Sequence, residues 1–284
     1  MKFIKLYKNF KIISTCKNYD IKNYTINKDG TVDVDDHINL YSKKLIKLPL
    51  KFGNVSGDFD FERNLLTTLE GVPKSVGGYF NCMNNKLSIL KGCPKSVGGS
   101  FYCSKNKLTT LEGCSQSVGG NFYCGENKLT TLDCCPQSVG GSFYCNANQL
   151  TTLKGCPQSV GSFDCSSNYL TTLEGCPKWI GGNEFHCSSN RLKDLYGFPE
   201  LFDGYVYYHN NPVSEILDLF DVGLIDGVGN RIGNRIGKVI DLLNEYGVIQ
   251  QDGKVVILDR LEEIFYTLNM EIPKEIKLKN YEVY

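Results

Sequence analysis

The triplet Phe101-Tyr102-Cys103 alternates apolar, amphipathic and apolar positions, the period of a short strand that turns its outer two residues inward. Asn106 follows, then Leu108 and Leu111 at a spacing that returns both side chains to the core of a tightly curving chain. Gly113 comes next, with the pairs Cys93-Pro94 and Cys156-Pro157 at this place in sister segments, and then the glycine pair exemplified by Gly98-Gly99. Proline and paired glycines exclude a long helix on the return path, so the pattern predicts a strand followed by an extended or turn-like return.

This pattern recurs. NKLSILKGCPKSVGGSFYC at Asn85 returns as NKLTTLEGCSQSVGGNFYC at Asn106, NKLTTLDCCPQSVGGSFYC at Asn127 and NQLTTLKGCPQSVGSFDC at Asn148. Asparagines at 64, 85, 106, 127, 148, 168, 190 and 211 set steps of 21, with one of 20 and one of 22. Weaker copies place Ile38, Leu40, Leu45 and Leu48 upstream and Val206, Tyr208, Val213 and Ile216 downstream, for nine turns in all. A fixed period of this length is the signature of a solenoid, in which each coil buries its apolar side against its neighbours.

The flanks read as caps. Leu6, Phe10 and Ile13 lie at helical spacing, and Tyr24-Thr25-Ile26, Lys28-Asp29-Gly30 and Thr31 to Val34 read as a hairpin, together sealing the first turn. After Val213 the period becomes helical: Ile232, Ile236, Val239, Ile240 and Leu243 mark one amphipathic helix, and Leu258, Leu261, Ile264, Phe265 and Leu268 another. Asp259 and Glu262 are spaced as a capping box, and Gly247 to Leu258 reads as a hairpin turning at Asp252-Gly253. The expected organisation is an N-terminal cap over 1–36, a solenoid over 37–213 and an α/β cap over 214–284.

Phe101, Cys103, Asn106, Leu108 and Leu111 resemble the leucine-rich repeat, L-x-x-L-x-L-x-x-N-x-L, with phenylalanine and cysteine at two leucine places and one extra residue before the strand. The wording NKLTTLEGCPxSVGGxFYC is similar to leucine-rich-repeat-like proteins of tailed-phage genomes, over residues 24 to 216. The resemblance implies an α/β solenoid: a right-handed leucine-rich-repeat horseshoe with a parallel β-sheet on its concave face, an extended or turn-like convex side and helical or mixed caps. It also implies a viral protein in the cytoplasm of an infected bacterium, engaging a host factor. Bacterial effectors with similar repeats can carry a ubiquitin-ligase domain with a catalytic cysteine; no cysteine follows Cys187, so that chemistry does not carry over.

Eleven of the thirteen cysteines are periodic: Cys82, Cys103, Cys124, Cys145, Cys165 and Cys187 in the strand, Cys93, Cys114, Cys135, Cys156 and Cys176 in the turn. Stacked at roughly 4.8 Å, these columns could be a metal array, a disulfide ladder or small packing groups. Close ligand pairs such as C-x2-C are absent, and side chains pointing the same way resist the disulfide torsion, so buried thiols are expected. The remaining two, Cys16 and Cys134, carry no motif. The repeated asparagines are expected to bond backbone groups of adjacent turns.

Chemistry, if any, belongs on the outward strand residues. Their middle row is Asn39, Asp60, Asn81, Tyr102, Tyr123, Tyr144, Asp164, His186 and Tyr207; Tyr79, Glu184 and Tyr205 lie in the row before it, and His209 in the row after. Two readings stand for the tyrosines. Stacking on neighbouring strands would contribute roughly 0.2 to 1 kcal/mol per pair, whereas exposed tyrosines also favour interfaces. The expected partner-binding face comprises Tyr79, Tyr102, Tyr123, Tyr144, Asp164, His186, Tyr205, Tyr207 and His209. Asp164, His186 and Ser166 or Ser188 superficially resemble a catalytic triad, but no glycine-rich oxyanion element accompanies them.

Charge narrows the partners. Lysine plus arginine and aspartate plus glutamate both total 31, so no net field draws the chain to nucleic acid or an anionic membrane. The longest aliphatic run, Val255 to Leu258, is far too short to span a bilayer, and the N-terminus lacks a secretory pattern. The stretch GVGNRIGNRIG from Gly227 to Gly237 fails as a G-x-G-x-x-G or phosphate loop. The sequence therefore points to a monomeric, non-enzymatic protein-binding module without metal or cofactor; the alternative is a structural or glycan-adhesive repeat of a virus particle.

Overall fold

The computed structural model describes residues 2–202, 204–220, 233–250 and 253–284; the side chains of residues 2–8 and 233–235 are outside the description. Two compact units divide the chain: Met1–Asn148 with Gly155–Pro157, and Gln149–Lys154 with Gln158–Tyr284. In both, the repeat folds as a parallel-strand β-solenoid.

In the first unit each turn contributes two short strands. One sheet contains Ile38–Asn39, Phe59–Asp60, Phe80–Asn81, Phe101–Tyr102, Phe122–Tyr123 and Phe143–Tyr144. These strands pair in parallel and in register, so Phe101, Phe122 and Phe143 stand opposite one another, as do Tyr102, Tyr123 and Tyr144. The other sheet runs through Val32–Val34, Phe52–Val55, Ser75–Val76, Ser96–Val97, Ser117–Val118 and Ser138–Val139, with Tyr24–Ile26 antiparallel at its first edge. The expected hairpin therefore forms, and its second strand doubles as the first rung of this sheet. In the second unit Phe163–Asp164, Glu184–His186 and Tyr205–Tyr207 belong to the Phe–Tyr type, while Ser159–Val160 pairs with Trp179–Ile180.

In the central turns, from Phe80 to Leu173, the core of a turn consists of a phenylalanine, a valine, a cysteine of the strand and two leucines. Phe101, Cys103, Leu108 and Leu111 are fully buried, and Phe80, Phe101, Phe122 and Phe143 form a spine with ring centroids 5.1 to 5.5 Å apart. Cys82, Cys103 and Cys124 carry free thiols. Burial holds all three well above the ordinary thiol range, so they stay protonated and are poor metal ligands or nucleophiles. The Cys82 and Cys103 thiols instead donate to the Tyr102 and Tyr123 carbonyls, 3.2 Å away in each case.

Each asparagine of the column ties two turns together. Asn106 Nδ2 donates to the carbonyls of Cys82, Cys103 and Ser104 at 2.9, 3.2 and 3.3 Å, and its Oδ1 accepts the Leu87 N–H at 3.0 Å. The chain bends here through a left-handed residue in each turn, such as Lys105, Glu126 and Ala147. The asparagine satisfies the backbone groups that this bend removes from the ladder.

The flanks depart from expectation in detail. Helix α1 spans Lys2–Asn18, but Phe10 and Ile13 are exposed; Cys16 is the fully buried residue of its last turn. In chain order the later helices are α2 (Ser214–Leu217), α3 (Gly233–Glu245) and α4 (Leu258–Thr267). Ile236, Val239, Ile240 and Leu243 are buried on α3, as are Leu261, Ile264 and Phe265 on α4, whereas Ile232 lies outside the described residues. The Asp259–Glu262 capping box does not form. Helix α4 begins two residues earlier, after an extended Ile257 with no side-chain cap, and the Leu258 N–H donates to the Tyr284 carbonyl at 2.6 Å. The expected hairpin appears as Ile249–Gln250 antiparallel to Val255–Val256, with Asp252 outside the described residues; Glu282–Val283 adds a parallel third strand. Most of the Gly227–Gly237 stretch is likewise outside the description. No helix among the described residues is long and apolar enough to cross a membrane.

Gly237 sits inside α3 with no atom near the place of a side chain. Gly237→Ala is expected to stabilise the second unit by about 0.5–1 kcal/mol, because glycine costs a helix interior about that much relative to alanine. A higher urea midpoint by circular dichroism is the expected readout.

Candidate functional site

The outward row of the first unit divides by what its side chains do for the backbone. Asn39, Asp60 and Asn81 each turn a side-chain oxygen back to the N–H two residues on, that of Tyr41, Glu62 and Met83, at 3.0, 2.9 and 3.1 Å. These are Asx turns, a structural use of a short polar side chain. Asn81 is also buried, contrary to its expected exposure, and donates to Asp60 Oδ2 at 3.3 Å and Glu62 Oε2 at 3.1 Å.

Tyrosine cannot close such a turn, yet it fills the next three places. Tyr102 and Tyr123 stack with centroids 4.7 Å apart and planes within 9°, and Tyr123 and Tyr144 with centroids 4.5 Å apart and planes within 2°. Tyr79, from the preceding row, meets Tyr102 edge-on at 5.9 Å. Both faces of Tyr123 are thus covered by neighbouring rings, and all four side chains remain half-buried. The ladder offers ring edges and hydroxyls rather than open faces.

The Tyr79 and Tyr123 hydroxyls are held in their neutral form. Tyr79 is pushed up to about 12, by burial first and then by the Asp60 and Asp58 charges. Burial also raises Tyr123, outweighing the hydrogen bond that Asn121 Nδ2 donates to its hydroxyl at 3.1 Å. Asp60 is raised by burial despite the Glu62 N–H and Asn81 donors. The row before the strand is largely structural: Asp58 Oδ1, Ser100 Oγ and Asn121 Oδ1 accept the N–H groups of Tyr79, Asn121 and Ser142 in the following turns, at 2.8, 3.0 and 2.8 Å.

The second unit carries its own row. Asp164 pairs in register with His186, and His186 with Tyr207. The His186 and Tyr207 rings stack at 4.1 Å, and His186 Nε2 lies 3.5 Å from Glu184 Oε2. Asp164 Oδ1 accepts both the N–H and the hydroxyl of Ser166, at 2.9 and 2.6 Å. The serine hydroxyl is therefore directed to a carboxylate rather than to an imidazole base, unlike the geometry that activates a serine nucleophile. Tyr205 is half-buried and His209 exposed, the latter's ring 5.2 Å from that of Tyr208. Among the described residues no three His, Cys, Asp or Glu side chains come together as a metal site.

The chain matches none of the known family models, and no curated protein is similar to it. Its chemistry must be read from its own geometry.

That geometry separates residues which the sequence pattern had grouped. Tyr79, Tyr102, Tyr123 and Tyr144 come together as one aromatic ladder. His186 and Tyr207 form a separate stacked pair, and Asp164 is occupied in a local turn. The inter-turn role of Ser100 and Asn121 was missed, although their 21-residue spacing was visible.

Proposed function

We propose that the chain is a non-enzymatic protein-binding module whose tyrosine ladder takes the partner, within a leucine-rich-repeat-like horseshoe closed by its terminal caps. One observation carries the reading: three successive turns place a tyrosine where other turns use aspartate or asparagine to close an Asx turn. Among the described residues these hydroxyls close no backbone turn, and that of Tyr123 accepts from the Asn121 side chain. Stacked tyrosines are rigid, so ordering them against a partner costs little side-chain entropy, while their edges and hydroxyls suit peptide groups and aliphatic side chains. Glycan stacking requires an open ring face, which Tyr123 lacks. In the second unit, Tyr205, Tyr207, His186 and His209 make a smaller surface of similar chemistry. The resemblance to phage repeats supports a host protein as the partner, met in the bacterial cytoplasm.

The test is capture of a host protein by the wild type and by a variant combining Tyr102→Ser, Tyr123→Ser and Tyr144→Ser. Each interface tyrosine is expected to contribute about 2 kcal/mol, so the triple variant should lose measurable capture while keeping its circular dichroism spectrum. Tyr123→Phe keeps the stack and should weaken binding by about tenfold through the hydroxyl alone. Undiminished capture by the folded triple variant would overturn the proposal, and a triple variant that fails to fold would assign the tyrosines to stability.

A further inference from the structure

The two sheets of the first unit begin differently. Tyr24–Ile26 covers the outer edge of Val32–Val34, closing one sheet. The other begins at Ile38–Asn39, with no such cover among the described residues. Through the described turns, the phenylalanine of each strand bonds onward to the next turn, as Phe59 N–H does to the Tyr79 carbonyl at 2.8 Å; the middle residue bonds back, as the Asp60 carbonyl accepts from Leu40 N–H at 2.7 Å. At Asn39 there is no earlier strand to receive the backward pair. Its N–H and C=O, and the C=O of His37, have no hydrogen-bond partner among the described residues, and both residues are exposed.

The last strand of this type, Tyr205–Tyr207 in the second unit, presents the complement. Val206 occupies the phenylalanine place, opposite Phe185, and its onward N–H and C=O likewise lack a partner among the described residues. Val206 is only half-buried where the corresponding phenylalanines are buried.

Charge follows the same polarity. Residues 37–51 contain Lys43, Lys44, Lys47 and Lys51 and no acid, whereas residues 194–220 contain Asp194, Glu200, Asp203, Glu215 and Asp218 and no lysine or arginine. Lys43, Lys44 and Lys47 are exposed and unpaired among the described residues; Lys51 is paired with Glu70 and Glu200 with Lys178. Glu215 accepts the Lys279 and Asn280 N–H groups and Asp218 the Tyr208 hydroxyl, both without a cation among the described residues, and Asp203 lies outside them.

We propose that copies of this chain associate head to tail, Tyr205–Tyr207 of one copy pairing in parallel with Ile38–Asn39 of the next. Val206 then lies opposite Ile38 and Tyr207 opposite Asn39, continuing the register of Phe185 with Val206 and His186 with Tyr207. Val206 N–H donates to the His37 carbonyl, and Asn39 N–H donates to the Val206 carbonyl. Strand addition at an open edge supplies the register, and the lysine-rich turn meeting the acidic one supplies the direction. Because the two surfaces differ, each contact leaves one free head and one free tail, from which association extends to longer assemblies or a ring. This departs from the monomer expected from sequence alone.

Sedimentation velocity on the full chain tests it. Wild type is expected to form species larger than a dimer as concentration rises at low salt, and to dissociate at high salt as exposed charges are screened. Asn39→Pro and Val206→Pro each remove an N–H that has no partner among the described residues; proline is tolerated at an edge of this kind. Each variant alone should remain monomeric, whereas an equimolar mixture should stop at a heterodimer, since each supplies the end that the other lacks. Lys43→Glu combined with Lys44→Glu, which leaves the backbone untouched, should weaken self-association by about tenfold or more even if a proline variant misfolds. A wild type that stays monomeric at roughly millimolar concentration, near the weak limit for such a contact, would refute the proposal. So would a dimer that neither proline variant disturbs, or wild-type association by the charge-reversed variant.

Discussion

Gly119→Ala is expected to lower the stability of the first unit by about 3 kcal/mol, although a single methyl group is added and no contact is deleted. Gly119 lies at the corner between the Ser–Val and Phe–Tyr strands, where its N–H donates to the Val97 carbonyl at 3.0 Å. A methyl carbon there would overlap the Gly98 carbonyl oxygen, just as one on Gly140 would overlap that of Gly119. The obstruction is backbone, so no side chain can swing aside; the turns must separate, and the stacking that supports neighbouring turns weakens with them. Paired with Gly237→Ala, for which a gain is expected, the experiment separates crowding from glycine's general conformational cost. The readout is the urea midpoint of circular dichroism, and a loss below about 0.5 kcal/mol would show that the turns are not held this closely.

Asn85→Leu is expected to cost more, about 3–5 kcal/mol, at nearly constant volume. Asn85 Nδ2 donates to the carbonyls of Phe61, Cys82 and Met83 at 3.1, 3.2 and 3.1 Å, and Oδ1 accepts the Leu66 N–H at 3.0 Å. Leucine fills the space and satisfies none of these groups. The stranded Leu66 N–H is the most costly, because the carbonyls retain other acceptor geometry. Asn85→Asp keeps an acceptor for that N–H but faces three carbonyls with a carboxylate. Its folded-state pKa is therefore raised, and it should be least stable above that raised value, recovering in part as pH falls and the carboxyl becomes a donor. Hydrogen exchange at Leu66 provides a local check: protection should fall steeply in Asn85→Leu, and unchanged protection would remove the asparagine from its proposed place in stability.

The same residues show how far sequence reaches. The 21-residue period placed Phe101, Cys103, Leu108 and Leu111 in the core, put Asn106 between turns and aligned Tyr102, Tyr123 and Tyr144 in one row, and all of this is observed. Such features were legible because a repeated burial pattern is local in each copy and only one stacking register keeps every copy in phase. The second sheet was less legible. From Ser75 onward its strands are two-residue Ser–Val segments with an exposed serine in most turns, too short for an alternation to show, though the recurrence of Val34, Val55 and Val76 carried its register.

Tertiary structure decided what depends on partners far along the chain or on rotamers. Phe10 and Ile13 have helical spacing, but which face of α1 is buried depends on what lies beneath it, and Cys16 holds that position. Glu282–Val283 became a strand only because Val255–Val256 offered an edge. Likewise, sequence placed four tyrosines near one another, while side-chain rotation fixed Tyr123 between two rings with its faces closed and its hydroxyl on Asn121. The linear order of residues is enough to fix the repeat, its core and the succession of side chains on the face. Packing across turns decided which of those residues close the backbone and which are left over for a partner, because an Asx turn and a ring stack are choices of side-chain torsion that no linear pattern specifies.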